Sequence, residues 1–126
     1  MLTRGDHVPH FTVTRLDGCG VPYTGLWQRR HLVLIAIPPQ SQAEFAPYAE
    51  SVARGLATLR PADVECVATA QTIDGMPAPG VLIADRWGEI AAVFDGAVEP
   101  LPDPDALVEW VEHVRMACPE CEGEAR

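Results

Sequence analysis

Apolar and polar residues alternate along Phe11-Thr12-Val13-Thr14, the period of a half-buried strand. Asp17-Gly18-Cys19-Gly20 is a turn signal. Residues 21–26 follow as a short second strand or an irregular return. The run Leu32-Val33-Leu34-Ile35-Ala36-Ile37 is apolar throughout, which predicts a central strand covered on both faces. Pro38-Pro39 ends it. Ser41 and Glu44 then form the S-x-x-E pattern of a capping box, which predicts a helix from Ser41 to about Leu59, stopping before Pro61. Phe45, Tyr48, Val52 and Leu56 make one apolar face of that helix, and Pro47 inside it predicts a kink.

Residues 64–69 read as a second buried strand, and 71–79 as a loop holding Asp74-Gly75 and two prolines. Gly80-Val81-Leu82-Ile83-Ala84 is a third. The turn Asp85-Arg86-Trp87-Gly88 returns the chain into a partner strand over 89–94. Asp103 is placed to cap a last helix with Pro104 at its first position, which proline tolerates. Leu107, Trp110, Val111 and Val114 give that helix an i, i+3, i+4, i+7 stripe. The order β(β)–β–α–β–β–β–α predicts an α/β layered domain with a mixed sheet.

Composition narrows the function classes. The 126 residues suit one domain with one core, and 48% are hydrophobic. No apolar run approaches the roughly 18 residues that span a bilayer, and the opening MLTRGDHVPHF lacks a secretory apolar stretch, so the expectation is a cytoplasmic protein with no membrane partner. The net charge is −9. Residues 1–60 hold six Arg against four acids, and 61–126 hold three Arg against fourteen acids. An acidic second half argues against nucleic acid, which requires a basic face. Four cysteines in an intracellular chain do not suggest a disulfide framework.

Several motifs together resemble the alkyl hydroperoxide reductase and thiol-specific antioxidant (peroxiredoxin-like) family of thioredoxin-like redoxins. The opening Gly5-Asp6-His7-Val8-Pro9-His10-Phe11 with Leu16-Asp17-Gly18 is similar to the family's start. Pro79 before Val81-Leu82-Ile83 resembles the cis-proline beside the family's site. Asp85-Arg86-Trp87-Gly88-Glu89 resembles its D-x-x-G hairpin. The tail Cys118-Pro119-Glu120-Cys121 resembles redoxin-like bacterial proteins ending in C-P-E-C. The resemblance implies a thioredoxin-like domain over 1–117 and a C-terminal tail over 118–126. The sheet would combine central parallel strands with a C-terminal antiparallel hairpin. Flanking helices would cover it, with one family helix replaced by the loop after Thr69. The sheet face left by that deletion is expected to be uncovered, which predicts a homodimer.

The thiol is missing where the family has it. In the thioredoxin register the two cysteine positions fall on Pro39 and Gln42; in the peroxiredoxin register the cysteine falls on Phe45 and its threonine on Gln42. Serine and glutamine do not cycle through sulfenic acid or disulfide, although the helix start at Ser41 supplies N–H donors and a positive dipole end. The expected function is therefore a redox-inactive binding or structural module, with a protein or small ligand as partner. One alternative is a thiol oxidoreductase, reducing peroxide or disulfide, in which Cys118 and Cys121 are catalytic. Its neighbours Glu120, Glu122 and Glu124 would raise the thiol pKa values and slow attack. Another alternative is a zinc-stabilised structural protein using His113, Cys118 and Cys121, short of the four ligands such a site needs. Otherwise no cofactor or metal is expected. Cys66, inside a predicted strand, reads as a buried inert thiol. His7 and His10 read as surface residues at a strand entrance. The acids Asp95, Glu99, Asp103 and Asp105 lack the ligand spacing of a calcium loop and read as a solvated turn. Trp27, Trp87 and Trp110 fit core or hairpin packing.

Overall fold

The computed structural model describes residues 3–6, 8, 12–14, 20–22, 31–57, 64–71, 73, 75–85 and 88–116. Six strands are present among them: β1 (Thr12–Thr14), β2 (Gly20–Pro22), β3 (His31–Ala36), β4 (Val64–Thr69), β5 (Gly80–Ala84) and β6 (Ile90–Asp95). Two α-helices accompany them, α1 (Gln42–Ala57) and α2 (Pro104–Met116). β1 and β2 pair antiparallel as a separate ribbon, Val13 opposite Val21. The main sheet runs β4-β3-β5-β6. β3 is parallel to β4 and antiparallel to β5, and β5 is antiparallel to β6. This is a thioredoxin-like α/β fold with a mixed sheet. None of the described helices is long and apolar enough to cross a membrane.

The all-apolar run of β3 has the physical cause expected of it. Both of its faces are buried. Val33, Ile35 and Ile37 point to the face where α1 and α2 pack, with Val81, Ile83, Val52, Leu56, Leu107 and Val111. Leu32 and Leu34 point to the other, with Val67, Leu82, Ile90, Val8 and Ile73. Each such Leu, Ile or Val contributes about 1.5–3 kcal/mol when fully buried.

That second face corrects an expectation. It is not uncovered: Leu34 is 1% exposed and Leu82 0%. Val8, from the segment before β1, and Ile73, from the loop between β4 and β5, sit in its cluster. The loop turns at Ile73, whose carbonyl accepts the Met76 N–H at 3.0 Å, so both apolar side chains of the turn fold back onto the sheet. No helix occurs among its described residues. Because β5 is antiparallel to β3, a short connection suffices. The ground for expecting a second copy on this face is removed.

α1 begins at Gln42, directly after Ser41. Ser41 ends a 3-10 turn, Pro39–Ser41, and its N–H donates to the Pro38 carbonyl at 2.8 Å. Pro39, lacking an N–H and fixed near helical φ, starts the helical path ahead of Ser41. The hairpin strand begins at Ile90 and runs to Asp95. Glu89 closes the turn into this strand: its carbonyl accepts the Asp85 N–H at 3.0 Å, its own N–H donates to the Asp85 carboxylate at 3.0 Å, and Gly88 adopts φ +87°. A bulge follows at Ile83/Ala84. His31 opens β3 at 5% exposure.

The terminal helix starts at Pro104, and the Asp103 carbonyl accepts the Leu107 N–H at 3.0 Å. Leu107, Val111 and Val114 are buried as the stripe requires, whereas Trp110 is 36% exposed at its edge.

Candidate functional site

The end of β3 is where a thioredoxin-like fold delivers its chemistry, and three chain segments meet there. The parallel register sets Ala36 beside Thr69, and the Ile37 N–H extends that pairing with a 2.8 Å bond to the Thr69 carbonyl. The antiparallel register sets Ala36 beside Gly80. Pro38-Pro39 and α1, the end of β4, and the loop entering β5 therefore share one edge of the sheet.

Each segment is held by local chemistry. Thr69 is fully buried, and its hydroxyl oxygen accepts the Gln71 N–H at 3.0 Å, turning the chain out of β4. Ala78-Pro79 is cis, as the family resemblance implies. Pro79 is half-buried, and its carbonyl accepts the Gly96 N–H at 2.8 Å.

Pro39 and Gln42 are exposed at the start of the helical path, and Ser41 is half-buried between them. Phe45, one turn into α1, packs against the core. None of these side chains offers a thiol, a general base or a metal ligand of useful basicity. Glu44 places a carboxylate in the first turn of α1, where it complements the positive dipole end and opposes a second anion. Cys66 is a half-buried cysteine on β4, in register with Val33. It lies three register positions from Thr69, or about 10 Å along the strand. It packs against the same helix-covered core as the partly buried Phe45 and Tyr48.

Tyr48 ties the site helix to the entry of α2. Its hydroxyl donates to the Pro102 carbonyl at 2.6 Å. Burial, then the negative charges of Asp103 and Cys66, push its pKa from 10.0 to about 12. The sequence placed Tyr48 on the apolar face. The signal for more was its hydroxyl, because a buried tyrosine needs a partner.

The other predicted site residues divide in two. His113 is exposed on α2, its ring edge-on to Trp110 at 6.3 Å. Cys118 and Cys121 lie outside the described residues, as do Cys19, His7, His10, Trp27 and Trp87. Among the described residues no three His, Cys, Asp or Glu side chains gather as a metal site. The acids after β6 form turns: the Asp95 carboxylate accepts the Ala97 N–H at 2.9 Å.

Trp110 packs edge-on against Phe94 of the hairpin strand at 5.9 Å, and it lines a cavity of about 340 Å³ and one of about 460 Å³.

The sequence matches no family model, and comparison with curated proteins finds no match. Comparison with solved structures finds the fold. The reduced 2-Cys peroxiredoxin of Plasmodium vivax superposes with a TM-score of 0.65 at 9% identity, covering 92% of this chain and 98% of that one. The thioredoxin domain of a Bacteroides vulgatus thiol-disulfide oxidoreductase gives 0.61 at 11% identity, covering 90% and 98%. A thioredoxin-family thiol:disulfide interchange protein of Chlorobium tepidum gives 0.56 at 14%, covering 88% and 99%. The chain thus has a thioredoxin-like fold, and structures similar to it include a 2-Cys peroxiredoxin and thioredoxin-family thiol-disulfide oxidoreductases. At these identities the likeness establishes the fold and leaves the chemistry to the residues.

Proposed function

We propose that this protein is a thioredoxin-like binding module that performs no thiol chemistry at the end of β3. One observation carries the reading: the strand–helix junction bears Pro39, Gln42 and Phe45, and the nearest described cysteine, Cys66, lies back along β4. Thiol–disulfide exchange needs an accessible thiolate, and a helix start is where the fold generates one. Here the scaffold keeps the helix start and the proline loop and lacks the nucleophile. The junction holds exposed Pro39 and Gln42 beside half-buried Pro79, a surface suited to contact rather than turnover.

The competing reading assigns peroxide or disulfide reduction to Cys118 and Cys121. Three neighbouring glutamates disfavour a thiolate at these positions. A zinc site on His113 and the same cysteines is the third reading.

One experiment separates them: peroxide consumption and insulin-disulfide reduction by the wild type and by Cys118→Ser, with zinc measured on protein purified without chelator. The binding-module reading expects both proteins at the blank rate and no stoichiometric zinc. Turnover abolished by Cys118→Ser, or one zinc per chain, overturns it.

A further inference from the structure

β6 is the last strand of the sheet, so one of its edges faces away from β5. At its first residue that edge is already in use by the turn Thr3–Asp6: the Gly5 N–H donates to the Ile90 carbonyl at 2.9 Å, and the Ile90 N–H donates to the Asp6 carbonyl at 2.8 Å. Farther along, no described residue pairs with it. The bond from Gly96 N–H to Pro79 fixes the phase of the β5–β6 ladder, and alternation turns the N–H and C=O of Val93 outward. Among the described residues none pairs with them.

A groove accompanies this edge. The cavity of about 460 Å³ runs beside Val93, Phe94 and Asp95 and ends on Arg4 and Trp110. The cavity of about 340 Å³ is lined by the same Arg4 and Trp110, by Asp85 and Glu89 of the hairpin and by His113 of α2. Glu109 lines a third cavity with the same tryptophan. Among the described residues, four carboxylates and the one guanidinium of Arg4 thus line the cavities that share this part-exposed indole.

We propose that this groove docks an extended, positively charged segment of a partner protein, which adds a strand along β6 and lays a basic side chain against Trp110. Strand addition takes its affinity from backbone pairing at an open edge and its selectivity from side-chain pockets. A guanidinium or ammonium over an indole is attracted by the ring, and nearby carboxylates strengthen the preference for a cation. Charge selects this occupant over a second copy of the chain, because each copy carries −9 and would bring its own carboxylates to the contact. The proposal goes beyond the site at the end of β3 and stands whether or not Cys118 and Cys121 turn over.

The test uses a blocked peptide, acetyl-Thr-Val-Arg-Val-Thr-amide, and the same peptide with Glu in place of Arg. Binding to the full chain is measured by calorimetry, and hydrogen exchange reports the Val93 amide. The Arg peptide is expected to bind saturably, to protect Val93, and to weaken at least about tenfold when its Arg becomes Glu, a difference of about 1.4 kcal/mol. Trp110→Ala and the double variant Glu89→Arg/Glu109→Arg, each checked for wild-type circular dichroism, are expected to weaken it by a similar factor. Three results overturn the proposal: no saturable binding up to about 1 mM, equal binding of the Glu peptide, or a sedimentation mass of two chains that Trp110→Ala reduces to one.

Discussion

Gly96 lies directly against Pro79. Its N–H donates to the Pro79 carbonyl at 2.8 Å, and a Cβ at position 96 would stand 2.9 Å from both that carbonyl oxygen and the proline ring. The turn after β6 thereby holds the loop that enters β5 at the end of the sheet where the candidate site lies. The approach tolerates only glycine, because the opposing atoms are backbone and a rigid ring. Gly96→Ala is expected to cost about 1–3 kcal/mol, the range of overpacking. Urea denaturation checks this: the midpoint falls and the slope stays unchanged.

The second face of the sheet owes its closure partly to Ile73, which is 8% exposed. Ile73→Ala is expected to destabilise by about 2 kcal/mol, the low end for such truncations, because a loop relaxes more readily than a core strand. Val98, at 78% exposure, is the control, and Val98→Ala is expected to stay within about 0.5 kcal/mol of wild type. Thermal and urea unfolding of the two variants check the contrast.

Tyr48 links stability to alkaline pH. Its folded pKa, about 12, lies above the ordinary 10.0, so the folded protein holds the phenolic proton more tightly than the unfolded chain. The stabilisation is complete below pH 10 and is lost as pH rises towards 12. Ultraviolet titration of phenolate absorbance is expected to show one of the two tyrosines titrating late, and Tyr48→Phe to remove that late step. The same substitution leaves the Pro102 carbonyl without its donor and is expected to cost about 1–3 kcal/mol at neutral pH.

Much of this fold was legible because local signals agreed with the global pattern. The run from Leu32 to Ile37 is apolar at every position because both of its faces are covered. Pro104 and the spacing of Leu107, Val111 and Val114 marked the last helix without tertiary information. What the sequence concealed arises from distant contacts. Nothing local to Val8 or Ile73 says that they close the second face, since the loop's brevity pointed instead to an open one. The pairing of Gly5 and Asp6 with Ile90 joins residues far apart in the chain. Trp110 fell on the helical stripe but at its margin, a placement that depends on where β6 ends beneath it. At the candidate site, the missing thiol was readable from residue identity alone, whereas the link from Tyr48 to Pro102 needed the packed helices.

At the end of β3 the proposed binding module carries Pro39, Gln42 and Phe45 and no thiol at these positions. The most direct measurement compares insulin-disulfide reduction by the wild type and by the double variant Pro39→Cys/Gln42→Cys. The helix start lowers the pKa of a thiol placed there, and Glu44 in the first turn opposes part of that shift. The account predicts a blank rate for the wild type and turnover above blank for the double variant. Wild-type turnover that Cys118→Ser abolishes would contradict it.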